Sequence, residues 1–186
     1  IVTSPPYDTL RHYNGIGDTW NHAKFCEIAK ELVRVLKPGG VIVWNVNDKT
    51  EKGSETGTSF KQALYFMELG LNLNDTMIWK KTNPMPQIKQ SRYNQVFEYM
   101  FVFSKGTPKT FNPIMEKCKL VGTKVKAGHT HLNIKEKRKM NRDFIVKEER
   151  YKYNVWDIAV SANKTIHTAA FPLKLAEDHI STWSNK

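Results

Sequence analysis

FCEIAKELVRVLKPGGVIVWNV, residues 25 to 46, holds a helix, its stop and a strand in one continuous run. Phe25, Ile28, Ala29, Leu32, Val33 and Leu36 recur at i, i+3, i+4, i+7, i+8 and i+11, the apolar stripe of an amphipathic helix. Lys37-Pro38-Gly39-Gly40 then ends it, because proline and glycine do not continue a helical turn. Val41-Ile-Val-Trp-Asn-Val46 follows as a short β-branched run with a turn before it, which predicts a buried strand. A buried strand reached directly from an amphipathic helix is part of a βα unit.

The same alternation extends in both directions. Ile1-Val2 ends a strand upstream. Downstream, residues 47 to 58 form a polar loop, and a second helix is predicted with Phe60, Ala63, Leu64 and Met67 inward and Gly70 at its C-terminal cap. Strands at about 71 to 80 and 96 to 103 flank a proline-bearing loop. Strands alternating with helices predict right-handed crossovers and a mostly parallel sheet with helices on both faces. The last two strands, joined without a helix, are expected to pair antiparallel.

Composition narrows the class. With 40% apolar and 11% aromatic residues among 186, the chain can bury a core, so disorder is not the default. No apolar run approaches the ~18 residues that span a bilayer, and no charged-then-apolar leader opens the sequence. A cytoplasmic protein is expected. Cys26 and Cys118 form no CxxC pair, and Cys118 with His129 and His131 does not match the usual zinc spacings, so no metal is expected.

The formal charge of +11 points to a polyanionic partner, and it is unevenly placed. Residues 107 to 152 hold 13 Lys or Arg against 5 Asp or Glu, with sparse, aperiodic apolar positions. They read as an inserted basic subdomain that tracks phosphates rather than another βα unit. After Tyr153-Asn-Val-Trp-Asp157 the pattern returns to helix, with Pro172 in its first turn and Leu173, Ala176, Ile180 and Trp183 as its buried face.

The chemistry centres on Thr3-Ser-Pro-Pro-Tyr7. In an open α/β sheet, ligands bind beyond the carboxyl ends of the strands, where Ser4, Pro5, Pro6 and Tyr7 would stand. Both prolines fix φ, and residues preceding proline are held extended, so the Ser4 hydroxyl and the Pro5 carbonyl become two acceptors for one amino group. Tyr7 offers a face on which a planar base can stack. An exocyclic amine is a poor nucleophile because its lone pair is delocalised into the ring. Acceptors on its hydrogens favour the pyramidal form, catalysis by position and electrostatics without a covalent intermediate. Taken alone, the same five residues also read as an ordinary turn.

Further stretches decide between the two. Thr3-Ser-Pro-Pro-Tyr7 resembles the motif of the amino-group (N4-cytosine or N6-adenine) DNA methyltransferases. Leu36-Lys-Pro-Gly-Gly-Val-Ile-Val43 resembles the corner after their catalytic strand, and Glu98-Tyr-Met-Phe-Val-Phe-Ser-Lys-Gly106 a late strand of their sheet. Lys81-Thr-Asn-Pro-Met-Pro86 with Arg92 is similar to the loop joining the last strands, and His167-Thr-Ala-Ala-Phe-Pro-Leu-Lys-Leu-Ala-Glu177 to the motif before their glycine loop. The order is similar to that of the permuted β group.

The resemblance implies an α/β fold: a partial, Rossmann-like methyltransferase sheet, mostly parallel with an antiparallel last strand pair. It divides the chain into a catalytic part at 1–106, a basic target-recognition insert at 107–152, and a cofactor-side return at 153–186. It implies S-adenosylmethionine held by Thr3, His167, Thr168, Phe171 and Pro172, and a double-stranded DNA partner whose target base is flipped into the pocket. Lys81, Arg92, Lys124, Lys126, Lys137, Arg138, Lys139 and Arg142 are the expected DNA contacts. Serine at the first motif position favours N4-cytosine over N6-adenine.

One departure accompanies the resemblance. The glycine loop Asp-x-Phe-x-Gly-x-Gly has no counterpart, and Asn14-Gly-Ile-Gly17 lacks both the spacing and a preceding strand. The chain is therefore expected to be a fragment or to need a complementing polypeptide, and a noncatalytic DNA-binding half is the alternative. Protein-amide methylation would leave the basic insert unexplained, and no RNA-binding motif is present.

Overall fold

A computed structural model describes residues 1–7, 20–86, 92–125, 144–160 and 170–185. In chain order its elements are β1 (Val2–Thr3), α1 (His22–Val35), β2 (Val41–Val46), β3 (Thr50–Glu51), β4 (Ser54–Glu55), α2 (Thr58–Glu68), β5 (Asn72–Lys81), β6 (Phe97–Ser104), β7 (Met115–Lys117), β8 (Lys124–Val125), β9 (Phe144–Ile145), β10 (Glu149–Tyr151), β11 (Val155–Ile158) and α3 (Leu173–Trp183). They fall into two compact units, Ile1–Asn112 with Tyr153–Lys186, and Pro113–Lys152.

The first unit is built on a five-stranded sheet in the order β1-β2-β6-β5-β11. β1 runs parallel to β2 and β11 parallel to β5, whereas β6 is antiparallel to both of its neighbours. Four strands thus end at one edge, at Thr3, Val46, Lys81 and Ile158, where β6 begins at Phe97. The expected antiparallel pairing of the last two predicted strands is present as β5 and β6. β11 was not anticipated from the sequence. Its four residues follow the basic stretch and carry too short a pattern to register as a strand.

The helix-to-strand corner works as its residues dictate. Asn21 caps α1 by accepting from Lys24 N at 2.9 Å, and the Leu36 amide closes the last turn on Leu32 O at 3.0 Å. Gly39 takes φ +77° while its amide donates to Lys105 O and its carbonyl accepts from Lys109 N. A Cβ there would collide with the Lys109 side chain, so the position requires glycine on two counts.

All six residues of β2 are buried, the pattern of a strand covered on both faces. On one face, Phe25 and Ala29 of α1 and Ala63 and Phe66 of α2 pack with Ile42, Trp44, Phe101 and Phe103. Edge-to-face and tilted rings join them: Trp44 to Phe66 at 5.2 Å and Phe66 to Phe103 at 4.9 Å between centroids. On the other face, His179 of α3 lies against Met100 and stacks on Trp156 at 4.5 Å.

Two helices bury faces other than those expected. In α2 the inward residues are Ser59, Gln62, Ala63 and Phe66, while Phe60, Leu64 and Met67 are exposed. The polar members are tolerated because each is bonded: Gln62 Oε1 accepts from Trp44 Nε1 at 2.8 Å, and Ser59 bonds Asp48 through both its amide and its hydroxyl. In α3, Leu175, His179 and Thr182 are buried and Leu173 and Ile180 exposed, with Pro172 at the N-cap rather than in the first turn.

The chain stays with the first unit through Asn112, whose side-chain amide donates to Ser181 O and Ser184 O at 3.1 Å each. The second unit pairs β7 with β10 and β8 with β9, both antiparallel. The Cys118 amide donates to Glu148 O, and the Gly122 amide to Val146 O, between the two ladders. Leu120, Val121, Phe144, Ile145 and Tyr151 are exposed on this unit, interspersed with Lys117, Lys119, Lys124 and Lys147.

Candidate active site

β1 reaches its carboxyl end at Thr3, fixed to β2 by the Ile1–Val43 backbone bond at 2.8 Å and the register Thr3↔Trp44. Pro5 is buried, and Ser4, Pro6 and Tyr7 are half-buried, so the bend is anchored but not sealed over. Tyr7 turns back across the strand ends and packs against the core cluster.

Its hydroxyl is the centre of a network. Tyr7 OH donates to Glu98 Oε2 at 2.6 Å and accepts from Ser4 Oγ at 2.9 Å and from Asn45 Nδ2 at 2.7 Å. Asn45 Nδ2 also reaches Glu98 Oε2 at 2.8 Å, and Lys81 Nζ closes on Glu98 Oε1 at 2.7 Å. Residues from the β1 turn, β2, β5 and β6 thus converge at the edge where the parallel strands end, the place where open α/β sheets bind ligands. Asn45 is 1% exposed and its Oδ1 is buried with no partner among the described residues.

The hydrogen-bond directions carry chemical meaning. A hydroxyl has one proton and two lone pairs. Ser4 spends its proton on Tyr7, which leaves its oxygen an acceptor. The neighbouring loop is held as firmly: Asp48 accepts from the Ser59 amide at 3.0 Å, a carboxylate at the N-terminus of α2, where Gly57 offers no side-chain cap. On β6, burial, reinforced by the carboxylates of Asp48 and Glu55, pushes the Tyr99 phenol up.

The expected cofactor residues are partly in view. Thr3 ends β1, Pro172 is buried at the N-cap of α3, Phe171 is half-buried beside it, and α3 packs against β1, which brings the two stretches together. His167 and Thr168 lie outside the described residues. Among the expected DNA contacts, Lys81 is committed to Glu98, and Arg92 to Glu55 and Thr50. Lys124 is exposed on β8, whereas Lys126, Lys137, Arg138, Lys139 and Arg142 lie outside the described residues. Among the described residues, no cluster of three or more His, Cys, Asp or Glu is arranged for a metal, and no helix is long and apolar enough to cross a membrane. Sequence reasoning missed Asn45 and the role of Glu98. The available signal was a carboxylate second in a largely apolar strand, since a buried charge requires partners.

The family model for DNA methylase, N6_N4_Mtase, matches residues 1–186. The chain belongs to the N6/N4 DNA methylase family. It is 49% identical over 195 residues to the orphan methyltransferase M.BamHII of Bacillus amyloliquefaciens, a match covering all of this chain and 71% of that protein. It is 30% identical over 132 residues to the type II beta methyltransferase M.BslI of a Bacillus species, covering 60% of this chain and 14% of that one. Among solved structures it superposes on the PvuII DNA methyltransferase (cytosine-N4-specific) with a TM-score of 0.64 at 18% identity, over 99% of this chain. The M1.HpyAVI–SAM complex gives 0.54 at 22% identity. At those identities the two structures establish the Rossmann-like fold. The chain spans 63% and 64% of their lengths.

Proposed function

We propose that this chain carries the base-accepting site of a DNA amino-methyltransferase, which transfers a methyl group from S-adenosylmethionine to an exocyclic amine of a flipped base. The observation that carries the reading is Ser4-Pro5-Pro6-Tyr7 at the carboxyl end of β1, with the Ser4 proton turned onto Tyr7 and the Tyr7 hydroxyl bonded to buried Glu98. N4-cytosine is favoured, on the serine in the first motif position and on the cytosine-N4 name of the PvuII enzyme.

In this mechanism the base enters beside Tyr7, whose ring provides a stacking surface. Ser4 Oγ accepts an N–H of the amine, and the Pro5 carbonyl is assigned the second. Both bonds draw the nitrogen toward the pyramidal form and return its lone pair. Thr3, Phe171 and Pro172, with His167 and Thr168, are assigned to S-adenosylmethionine, which when bound supplies a sulfonium methyl. The protein's part is positioning and a fixed field, with no covalent enzyme intermediate.

The basic unit is assigned to duplex DNA, with Lys124, Lys126, Lys137, Arg138, Lys139 and Arg142 as phosphate contacts, in the cytoplasm where that substrate lies. A polypeptide carrying the family's glycine loop is the proposed complement. The test is transfer of a labelled methyl group to duplex DNA, with and without that complement, followed by nucleoside analysis. Label on N4-methylcytosine supports the reading in full, and label on N6-methyladenine moves the target base. Label on neither in the complemented reaction overturns it.

A further inference from the structure

Glu98 is 7% exposed, and both of its carboxylate oxygens are occupied by donors from three different elements. Oε2 takes Tyr7 OH and Asn45 Nδ2, and Oε1 takes Lys81 Nζ. The phenol is equally committed: its one proton goes to Glu98, and its oxygen receives Ser4 and Asn45. The Tyr7 ring is therefore held at its hydroxyl end by Glu98 and at its Cβ end by the two-proline bend. The direction of the Ser4 lone pairs follows from the same bonds, because Ser4 points its proton at that oxygen.

Lys81 belongs to this arrangement rather than to a DNA-facing surface. Its ammonium sits 2.7 Å from Glu98 with the side chain only 21% exposed, and it also lies over the Trp79 ring at 5.4 Å. A phosphate contact needs a cation free to meet solvent and the duplex, whereas this one is held against a buried carboxylate.

We infer that Glu98 and Lys81 are a positioning pair for the methyl-transfer site, fixing the Tyr7 ring and through it the Ser4 acceptor. The inference rests on the methyl-transfer reading and deepens it. Neither residue touches the base. Each acts through Tyr7, so its loss appears in the rate of the chemical step rather than in DNA retention.

The experiment is a double-mutant cycle in the protein together with the complementing polypeptide, with Glu98→Gln, Tyr7→Phe and the pair, alongside Lys81→Gln. Glu98→Gln is expected to lower kcat by about 10²-fold, the scale of a reacting group displaced by ~1 Å, with the DNA Kd changed by less than about three-fold. In the Tyr7→Phe background it should have little further effect, because the bond it breaks is already gone. Lys81→Gln should lower kcat while leaving the salt dependence of DNA binding unchanged, whereas loss of a phosphate contact would reduce the log–log slope by about 1. Should Glu98→Gln not fold, Tyr7→Phe, which removes the same bond from the other side, takes its place. The inference is overturned if Glu98→Gln costs the same factor in the Tyr7→Phe background as in the wild type, or if Lys81→Gln reduces the slope and spares kcat. Ring-labelled tyrosine NMR separates this from the functional reading. A wild type that transfers no methyl group even with the complementing polypeptide sinks methyl transfer, and the tether is then judged by whether Glu98→Gln moves the Tyr7 Cζ signal. An unmoved signal overturns it.

Discussion

Lowering the pH from 7 to 5 should destabilise the fold through one side chain, His179. The imidazole is fully buried between α3 and the sheet, its Nε2 3.3 Å from Met100 Sδ, its ring stacked on Trp156, and its Nδ1 without a partner among the described residues. Burial pushes its pKa down from 6.5 to about 4, opposed only in part by the Asp178 carboxylate, which is itself paired with Lys174. The unfolded chain then binds a proton in a window where the folded chain does not, so stability must fall as pH falls from about 6.5 toward 4 and be fully present above that window. The linkage relation gives a loss of about 2 kcal/mol between pH 7 and pH 5, approaching ~3 kcal/mol below pH 4. The assay is urea unfolding at pH 7, 6 and 5 for the wild type and for His179→Phe, which keeps an aromatic ring against Trp156. The wild-type curve should lose about 2 kcal/mol relative to the variant over that range, whatever their difference at pH 7. Parallel pH profiles would refute the argument, since they would mean that His179 reaches water or an acceptor.

Two further outcomes test the packing and the DNA surface. Phe66→Ala should cost about 3–5 kcal/mol, because it removes the ring that bridges Trp44 and Phe103, whereas Leu64→Ala two residues earlier should cost under ~1 kcal/mol; thermal and urea unfolding of both variants check the observed α2 face against the one the sequence suggested. Affinity for duplex DNA should fall with salt at about −0.9 log units per phosphate contacted, and neutralising Lys117, Lys119, Lys124 and Lys147 together should flatten the slope; a slope already flat in the wild type would remove the basic unit from the interface.

The parts of the fold that were legible in the sequence were those set by local chemistry. The Lys37–Gly40 corner, the fully buried β2 and the antiparallel β5–β6 pair each follow from residues adjacent in the chain. The α1 stripe was legible, with Phe25, Ala29 and Leu36 buried and Leu32 and Val33 packed against the core, but the faces of α2 and α3 were not. Phe60, Leu64 and Met67 form a more apolar stripe than Ser59, Gln62 and Phe66, and what turns the polar stripe inward is the bonding of Gln62 to Trp44 and of Ser59 to Asp48. α3 repeats the lesson, with Thr182 buried because its hydroxyl donates to Asp178 O at 2.7 Å. The site divides in the same way. The bend at Ser4 to Tyr7 is written in two prolines, but Asn45 and Glu98 lie 38 and 91 residues from Tyr7, a distance over which periodicity carries nothing. Arg92 and Lys81 were expected on DNA from their positions in a loop, and only the packed chain reveals the carboxylates they meet.

The most direct test of the account is the single-turnover rate of methyl transfer to duplex DNA by the protein and by Ser4→Ala, each with the complementing polypeptide, with DNA retention measured on the same samples. The account predicts label on a cytosine N4, a rate at least about 10²-fold lower for Ser4→Ala, and unchanged retention. A Ser4→Ala variant that transfers methyl groups as fast as the wild type would contradict it.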